Sequence, residues 1–89
     1  MNEMPFIPEF REAKERNLWI KEHADYFTVT RRRRSSYLRE EKPSLEEAIA
    51  FANRLVERDP EFRCLIYAVY NIHDTLVATV SKDGVKYHE

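Results

Sequence analysis

The run Cys64-Leu65-Ile66-Tyr67-Ala68-Val69-Tyr70-Asn71-Ile72 is apolar at odd and even positions alike. A strand sends alternate side chains to opposite faces, so this run predicts a central strand that needs cover on both sides. The chain has 89 residues, enough for one core and a single domain spanning 1–89. Cover must therefore come from the few elements that remain, from a partner chain, or from a ligand.

One covering element is plain. Ser44-Leu45-Glu46-Glu47 is a capping box, in which the Ser44 hydroxyl and the Glu47 carboxylate satisfy each other's orphan amides. Behind it Leu45, Ala48, Ile49, Ala52, Leu55 and Val56 recur at helical spacing, and Phe51 widens the stripe. Glu46 and Glu47 at the start, with Arg54 and Arg58 at the end, suit the helix dipole. Asp59-Pro60 stops the helix, which therefore runs over residues 44–58.

Past the central strand, residues 71–74 reverse into 75–81, whose alternation predicts a half-exposed strand. Asp83-Gly84 reads as a tight turn, which leaves residues 83–89 as an edge strand or frayed tail. At the other terminus, Pro5 and Pro8 keep residues 1–8 irregular, and a short helix over 9–16 docks through Phe10. Beyond Asn17 two readings stand. The preferred one makes Leu18-Trp19-Ile20 a strand on β propensity; the rival continues the helix to Ala24 with Phe10, Ala13, Asn17, Ile20 and Ala24 on one face.

Tyr26-Phe27-Thr28-Val29-Thr30 is the next strand. Paired with 18–20 through a loop at Ala24-Asp25, it sets Ile20 against Val29 and Trp19 against Thr30. A second reversal at Arg34-Ser35 returns the chain as Tyr37-Leu38-Arg39-Glu40. Tyr37 then meets Arg32, Arg39 meets Thr30, and Leu38 joins the core side near Arg31. The predicted fold is α+β, a small antiparallel sheet of about four to five strands. The long amphipathic helix packs on one of its faces, and a short N-terminal helix accompanies it. The predicted core is Leu18, Ile20, Phe27, Val29, Leu38, Leu45, Ile49, Ala52, Leu55, Val56, Leu65, Val69, Leu76 and Val80. Which parity of strand 64–72 meets the helix is left open.

Composition removes several function classes. A lone Cys64 forms no intramolecular disulfide, and His23, His73 and His88 are scattered, so neither a zinc site nor another metal is expected. One glycine leaves no phosphate-cradling loop, and no serine lies in a strand-to-helix elbow, so neither a cofactor nor catalysis is expected. The longest apolar run is far short of the roughly 20 residues that span a bilayer. Met1-Asn2-Glu3-Met4-Pro5 has no signal-peptide pattern, so a cytoplasmic address and no membrane partner are expected.

A net charge of −1 conceals an uneven distribution. Residues 31–42 hold six basic side chains (Arg31, Arg32, Arg33, Arg34, Arg39 and Lys42) against Glu40 and Glu41, between acidic flanks. In the proposed register, Trp19, Arg32, Tyr37 and Arg39 share the outer face of the first three strands with Tyr26, and Arg34 lies in the adjoining loop. Guanidinium groups fork onto phosphates and rings stack on bases, so this set (Trp19, Arg32, Arg34, Tyr37, Arg39) is the candidate anion or nucleic-acid contact. The ordinary alternative is solvated surface. Arg32 would stack on Trp19 or Tyr37, other arginines would pair with Glu22, Glu40 and Glu41, and edge charge would deter aggregation.

Over residues 18–58, three strands followed by a capped helix loosely resemble the arm-binding N-terminal domains of phage-type integrases. The same layout is similar to the plant ethylene-response DNA-binding domain. Tyr26-Phe27-Thr28-Val29-Thr30 and Ser44-Leu45-Glu46-Glu47-Ala48 carry the resemblance. It implies a sheet that enters a DNA groove; the turn glycines of such domains are missing here, and residues 62–89 have no counterpart.

The two-sided strand makes a small non-catalytic protein-interaction or adaptor module the leading functional reading. Its partner is a protein or a second copy of the chain. The alternative is nucleic-acid binding through Trp19, Arg32, Arg34 and Arg39, and a third class is a regulator that holds a small ligand on the uncovered sheet face.

Overall fold

The computed structural model describes residues 12–88, so the expectations for residues 1–8 and for docking through Phe10 lie outside the described residues. In chain order the elements are α1 (Ala13–His23), β1 (Tyr26–Arg32), β2 (Tyr37–Lys42), α2 (Leu45–Arg58), β3 (Cys64–Tyr70), β4 (His73–Ser81) and β5 (Gly84–Tyr87). The five strands form one antiparallel sheet in the order β2-β1-β3-β4-β5, which puts the two-sided strand β3 at its centre.

Helix α2 begins at the predicted Ser44 cap, with one of the two bonds of the expected capping box. The Ser44 hydroxyl accepts the Glu47 amide at 3.1 Å, and at the far end the Asp59 amide donates to the Leu55 carbonyl at 3.0 Å. The Glu47 carboxylate lies 3.4 Å from the same hydroxyl. Because β2 and β3 flank β1 on opposite sides, α2 must cross β1 to connect them. Its buried Ala48, Ala52, Leu55 and Val56 join Val29, Cys64, Ile66, Ala68, Val77, Ala78 and Val80 in one apolar cluster. The even parity of β3 is thus the helix side.

The strand expected at Leu18-Trp19-Ile20 is helical, and the pairing of Ile20 with Val29 and Trp19 with Thr30 does not form. α1 instead runs to His23, as in the rival reading. Ile20 is fully buried in the α2 cluster, so α1 lies on the same side of the sheet. Trp19 stacks on His23 with centroids 4.1 Å apart and meets the edge of Tyr70 at 4.9 Å, while His23 Nδ1 donates to the Trp19 carbonyl at 2.9 Å. The Arg16 guanidinium, which can only donate, bonds His73 Nδ1 at 3.0 Å. Burial of Ile20 and this ring stack outweigh the weak β preference of three residues. The three-strand-then-helix layout that resembled DNA-binding domains is therefore absent from residues 18–58, where the order is helix, strand, strand, helix.

The β1–β2 hairpin has the register the sequence implied, with Thr30 against Arg39, Arg31 against Leu38 and Arg32 against Tyr37. The other edge of β1 is taken by β3, with Val29 opposite Ile66. β3 ends at Tyr70, and Asn71-Ile72 alone make the next turn. Asn71 adopts φ 56° there and donates its amide to Asp25 Oδ2 at 3.1 Å. Asn is one of the few residues that enter this left-handed region readily, so no glycine is needed. The last turn is Lys82-Asp83, one residue earlier than expected; Gly84, at φ 115°, opens β5.

The core differs from expectation at three positions. Leu18 is 55% exposed on α1, and Leu65 and Leu76 are only half-buried and lie outside the apolar cluster. Val69 is buried as expected, although on the odd parity of β3 and so outside the helix-side cluster. Ala48, Cys64, Ile66, Ala68, Val77 and Ala78 take their place. The error at Leu76 has a definite origin. The β3–β4 register shifts between Ile66, opposite Ala78, and Tyr67, opposite Leu76, so Val77 is the extra residue of a bulge. Simple alternation is thereby broken, and Val77 and Ala78 are buried in succession.

The parity assignment is open to test by urea unfolding. Ile66→Ala is expected to cost about 3 kcal/mol, as a large-to-small change in a closed core. Leu65→Ala is expected to cost about 1 kcal/mol, because its side chain is already half in water. Equal losses would contradict the structure. Cys64 supplies a second check. Burial pushes its thiol above the ordinary range, partly opposed by the Arg31 charge. A raised folded value means that the unfolded chain ionises first. The contribution of Cys64 is therefore intact below about pH 8.5 and lost as pH climbs toward the folded value. Between pH 8 and pH 10, wild type is expected to lose more thermal stability than Cys64→Ala.

Candidate functional site

The face of the sheet opposite α1 and α2 is ordered by its registers into rows. Arg39, Thr30, Leu65, Thr79 and Lys86 are successive cross-strand partners and make a row over all five strands. Toward the start of β3, Tyr37 pairs with Arg32, and continuation of the neighbouring registers brings in Arg63 and Ser81. On the other side of the Arg39 row come Glu41, Thr28, Tyr67 and Leu76, and beyond them Tyr26, Val69 and Asp74. Thr28 and Thr30 are buried at the floor, whereas Tyr37 is 61% exposed.

A trough of about 1020 Å³ occupies this face. Its walls include Arg32, Tyr37, Arg39, Arg63, Leu65 and Tyr67, closed at one end by Pro60, Glu61, Phe62, Ser81, Lys82 and Asp83. No residue of α1 or α2 lines it. A second depression of about 490 Å³ adjoins it at Glu61 and Phe62 and is lined by Arg33, Arg34, Ser35 and Ser36 of the β1–β2 loop.

Strand parity divides the arginine run. Arg31 points to the helix side, is only 9% exposed, and places Nη1 3.2 Å from Asp59 Oδ2 at the end of α2. Its Nε is buried without a hydrogen-bond partner. Arg33 also turns to Asp59, at 3.7 Å, and its guanidinium lies 5.3 Å above the Phe62 ring. Lys42 sits 4.5 Å above Phe51. Arg39 stays on the trough face but is held along it by Glu41 at 3.0 Å, and Glu41 first, then Tyr26, favours the protonated guanidinium. Among the described residues, Arg32, Arg34 and Arg63 form no ion pair.

Of the five candidate residues, Arg32, Tyr37 and Arg39 come together on one face, and Arg34 lies in the adjacent loop. Trp19 does not join them. It belongs to α1 on the opposite side of the sheet, where it stacks on His23 and Tyr70. The sequence reading missed Phe62, Arg63, Tyr67 and Lys82. Arg63 and Tyr67 share the parity of Leu65, so once Thr30 is known to pair with Leu65 their position follows. The Glu61-Phe62 and Lys82-Asp83 contributions come from loops whose approach no periodicity records. Among the described residues, no three His, Cys, Asp or Glu side chains converge as metal ligands, and no helix is long and apolar enough to cross a membrane.

No protein-family model, curated protein or solved structure matches the chain.

The Arg31–Asp59 pair yields a prediction of its own. Removing a buried ion's partner costs more than replacing that ion by an apolar side chain of similar size. Asp59→Asn is expected to lower unfolding free energy by about 1–2 kcal/mol, discounted for the partial exposure of the carboxylate. Arg31→Met is expected to stay within about 1 kcal/mol of wild type. Denaturant titrations of both variants decide the order.

Proposed function

We propose that the protein is a non-catalytic interaction module, an adaptor that holds a protein partner on the trough face of its sheet. One observation carries the reading. Both helices stack on the same side, while Tyr37, Phe62, Leu65 and Tyr67 remain on the other, interleaved with Arg32, Arg39 and Arg63. Tyr, Phe and Arg are the residue types enriched at the buried centres of protein interfaces, where they bury large areas with few rotatable bonds.

The mixed charge of the lining favours a protein over a polyanion. Glu61, Asp74 and Asp83 line the same trough as the cations, and the whole chain has a net charge of −1. A surface adapted to nucleic acid is instead expected to be basic throughout. Nucleic-acid binding is the second reading, favoured by the shared face of Arg32, Tyr37 and Arg39. A second copy of the chain is the homotypic version of the first.

Photo-crosslinking in cells tests this directly. A benzophenone side chain in place of Tyr37 is expected to give a protease-sensitive adduct. The same group in place of Asn53, on the exposed side of α2, is expected to give none. Nuclease-sensitive adducts from position 37, or identical adducts from both positions, would remove the reading. An adduct of twice the chain mass would identify the partner as a second copy.

A further inference from the structure

We infer that the partner segment is acidic, and that it places its carboxylates on the end of the trough formed by Arg32, Arg63 and Lys82 and its apolar side chains on Leu65 and Tyr67. The inference rests on the trough face being a protein-binding surface, and it names the chemistry of what binds there.

Charge is sorted along the trough. The row of Arg32 and Arg63 lies beside the Lys82 turn, and the next row carries Arg39 and Lys86 at its two ends. Two rows further on come Tyr26, Val69 and Asp74, with Glu41 in the row between. Glu61 and Asp83 border the cationic end, but among the described residues neither is ion-paired with its cations. Arg31 and Arg33 are drawn to Asp59 and Arg39 to Glu41, whereas Arg32 and Arg63 form no ion pair among the described residues. Arg32 at the end of β1 and Arg63 just before β3 are like charges on one face, which repel each other in the free protein. A carboxylate that forks onto either one relieves this repulsion, which is the complementarity that guides charged partners and fixes their orientation.

Geometry limits the length of the anion. Apolar and aromatic side chains follow the cationic end at once, in Leu65 and then Tyr67, and the far end carries Asp74. A continuous polyanion laid along the trough would run on to Glu41 and Asp74, whereas a short acidic stretch joined to apolar residues stops before them and meets Leu65 and Tyr67 instead. An extended peptide suits this arrangement, since its alternate side chains reach a pleated surface at the spacing of the rows.

Fluorescence anisotropy with three labelled probes tests the inference. The probes are a short peptide in which Glu alternates with Leu, its twin with Gln for every Glu, and a single-stranded oligothymidylate. The Glu peptide is expected to bind at low salt about tenfold more tightly than the Gln twin, and this margin is expected to shrink as salt is added. Arg32→Gln/Arg63→Gln is expected to abolish the margin while leaving the thermal melt unchanged, since both side chains are exposed. Tyr67→Ala is expected to weaken both peptides alike. Equal binding of the two peptides overturns the inference and leaves the adaptor reading intact, and so does the absence of binding by either. Tighter binding of the oligothymidylate overturns both.

Discussion

The structure depends on how β3 divides its two apolar faces. Its even positions, Cys64, Ile66 and Ala68, meet both helices, and its odd positions, Leu65, Tyr67 and Val69, meet neither in the apolar cluster. Steric fit favours this choice. The even side offers small residues, with Ala68 and Ala78 on the sheet facing Ala48 and Ala52 on α2, so helix and sheet approach closely and bury branched neighbours between them. On the odd side Arg32 of β1 and Arg39 of β2 are exposed, and a packed helix would strip their guanidinium groups of water. Once α2 has crossed over β1 on the even side, Ile20 completes the same layer, and α1 follows it there.

That division sets the fate of the arginine run. A strand sends neighbouring residues to opposite faces, so four consecutive arginines could not act as one basic patch. Arg31 and Arg33 converge on Asp59, where one of them is almost wholly buried and tethers β1 to the end of α2. Arg32 is delivered to the other face, beside Tyr37 and in line with Arg63, and Arg34 is left to the loop. The charge block thus joins an anchor on one side of the sheet to the lining of the trough on the other. Its count of basic residues overstates the positive charge of either.

The turns illustrate a different constraint. The sheet has four antiparallel strand pairings in a chain with one glycine, and two of its three tight hairpin turns form without it. Arg33 donates its amide to the Ser36 carbonyl in the first, and Asn71 supplies the positive φ of the second. Gly84 serves the third, where its φ of 115° would strain any other residue.

Local chemistry determined much of this protein. The Ser44 cap and the stripe behind it define α2, the apolar run defines β3 and its central place, and the loop at Arg34-Ser35 sets the β1–β2 register, with Arg32, Tyr37 and Arg39 on one face. Each of these rests on neighbours within a few residues, where spacing and capping operate. The tertiary structure alone decided that 18–20 is helix, since its stability comes from Ile20 in a distant core and Trp19 against Tyr70. It also decided which face of β3 is closed, because that choice depends on the β1 partner and on a bulge at Val77 that shifts parity along β4. Trp19 was misassigned and Arg63 and Tyr67 were overlooked for the same physical reason. Which face a side chain occupies is a property of strand pairing, and β1 pairs with β3 across the whole of α2.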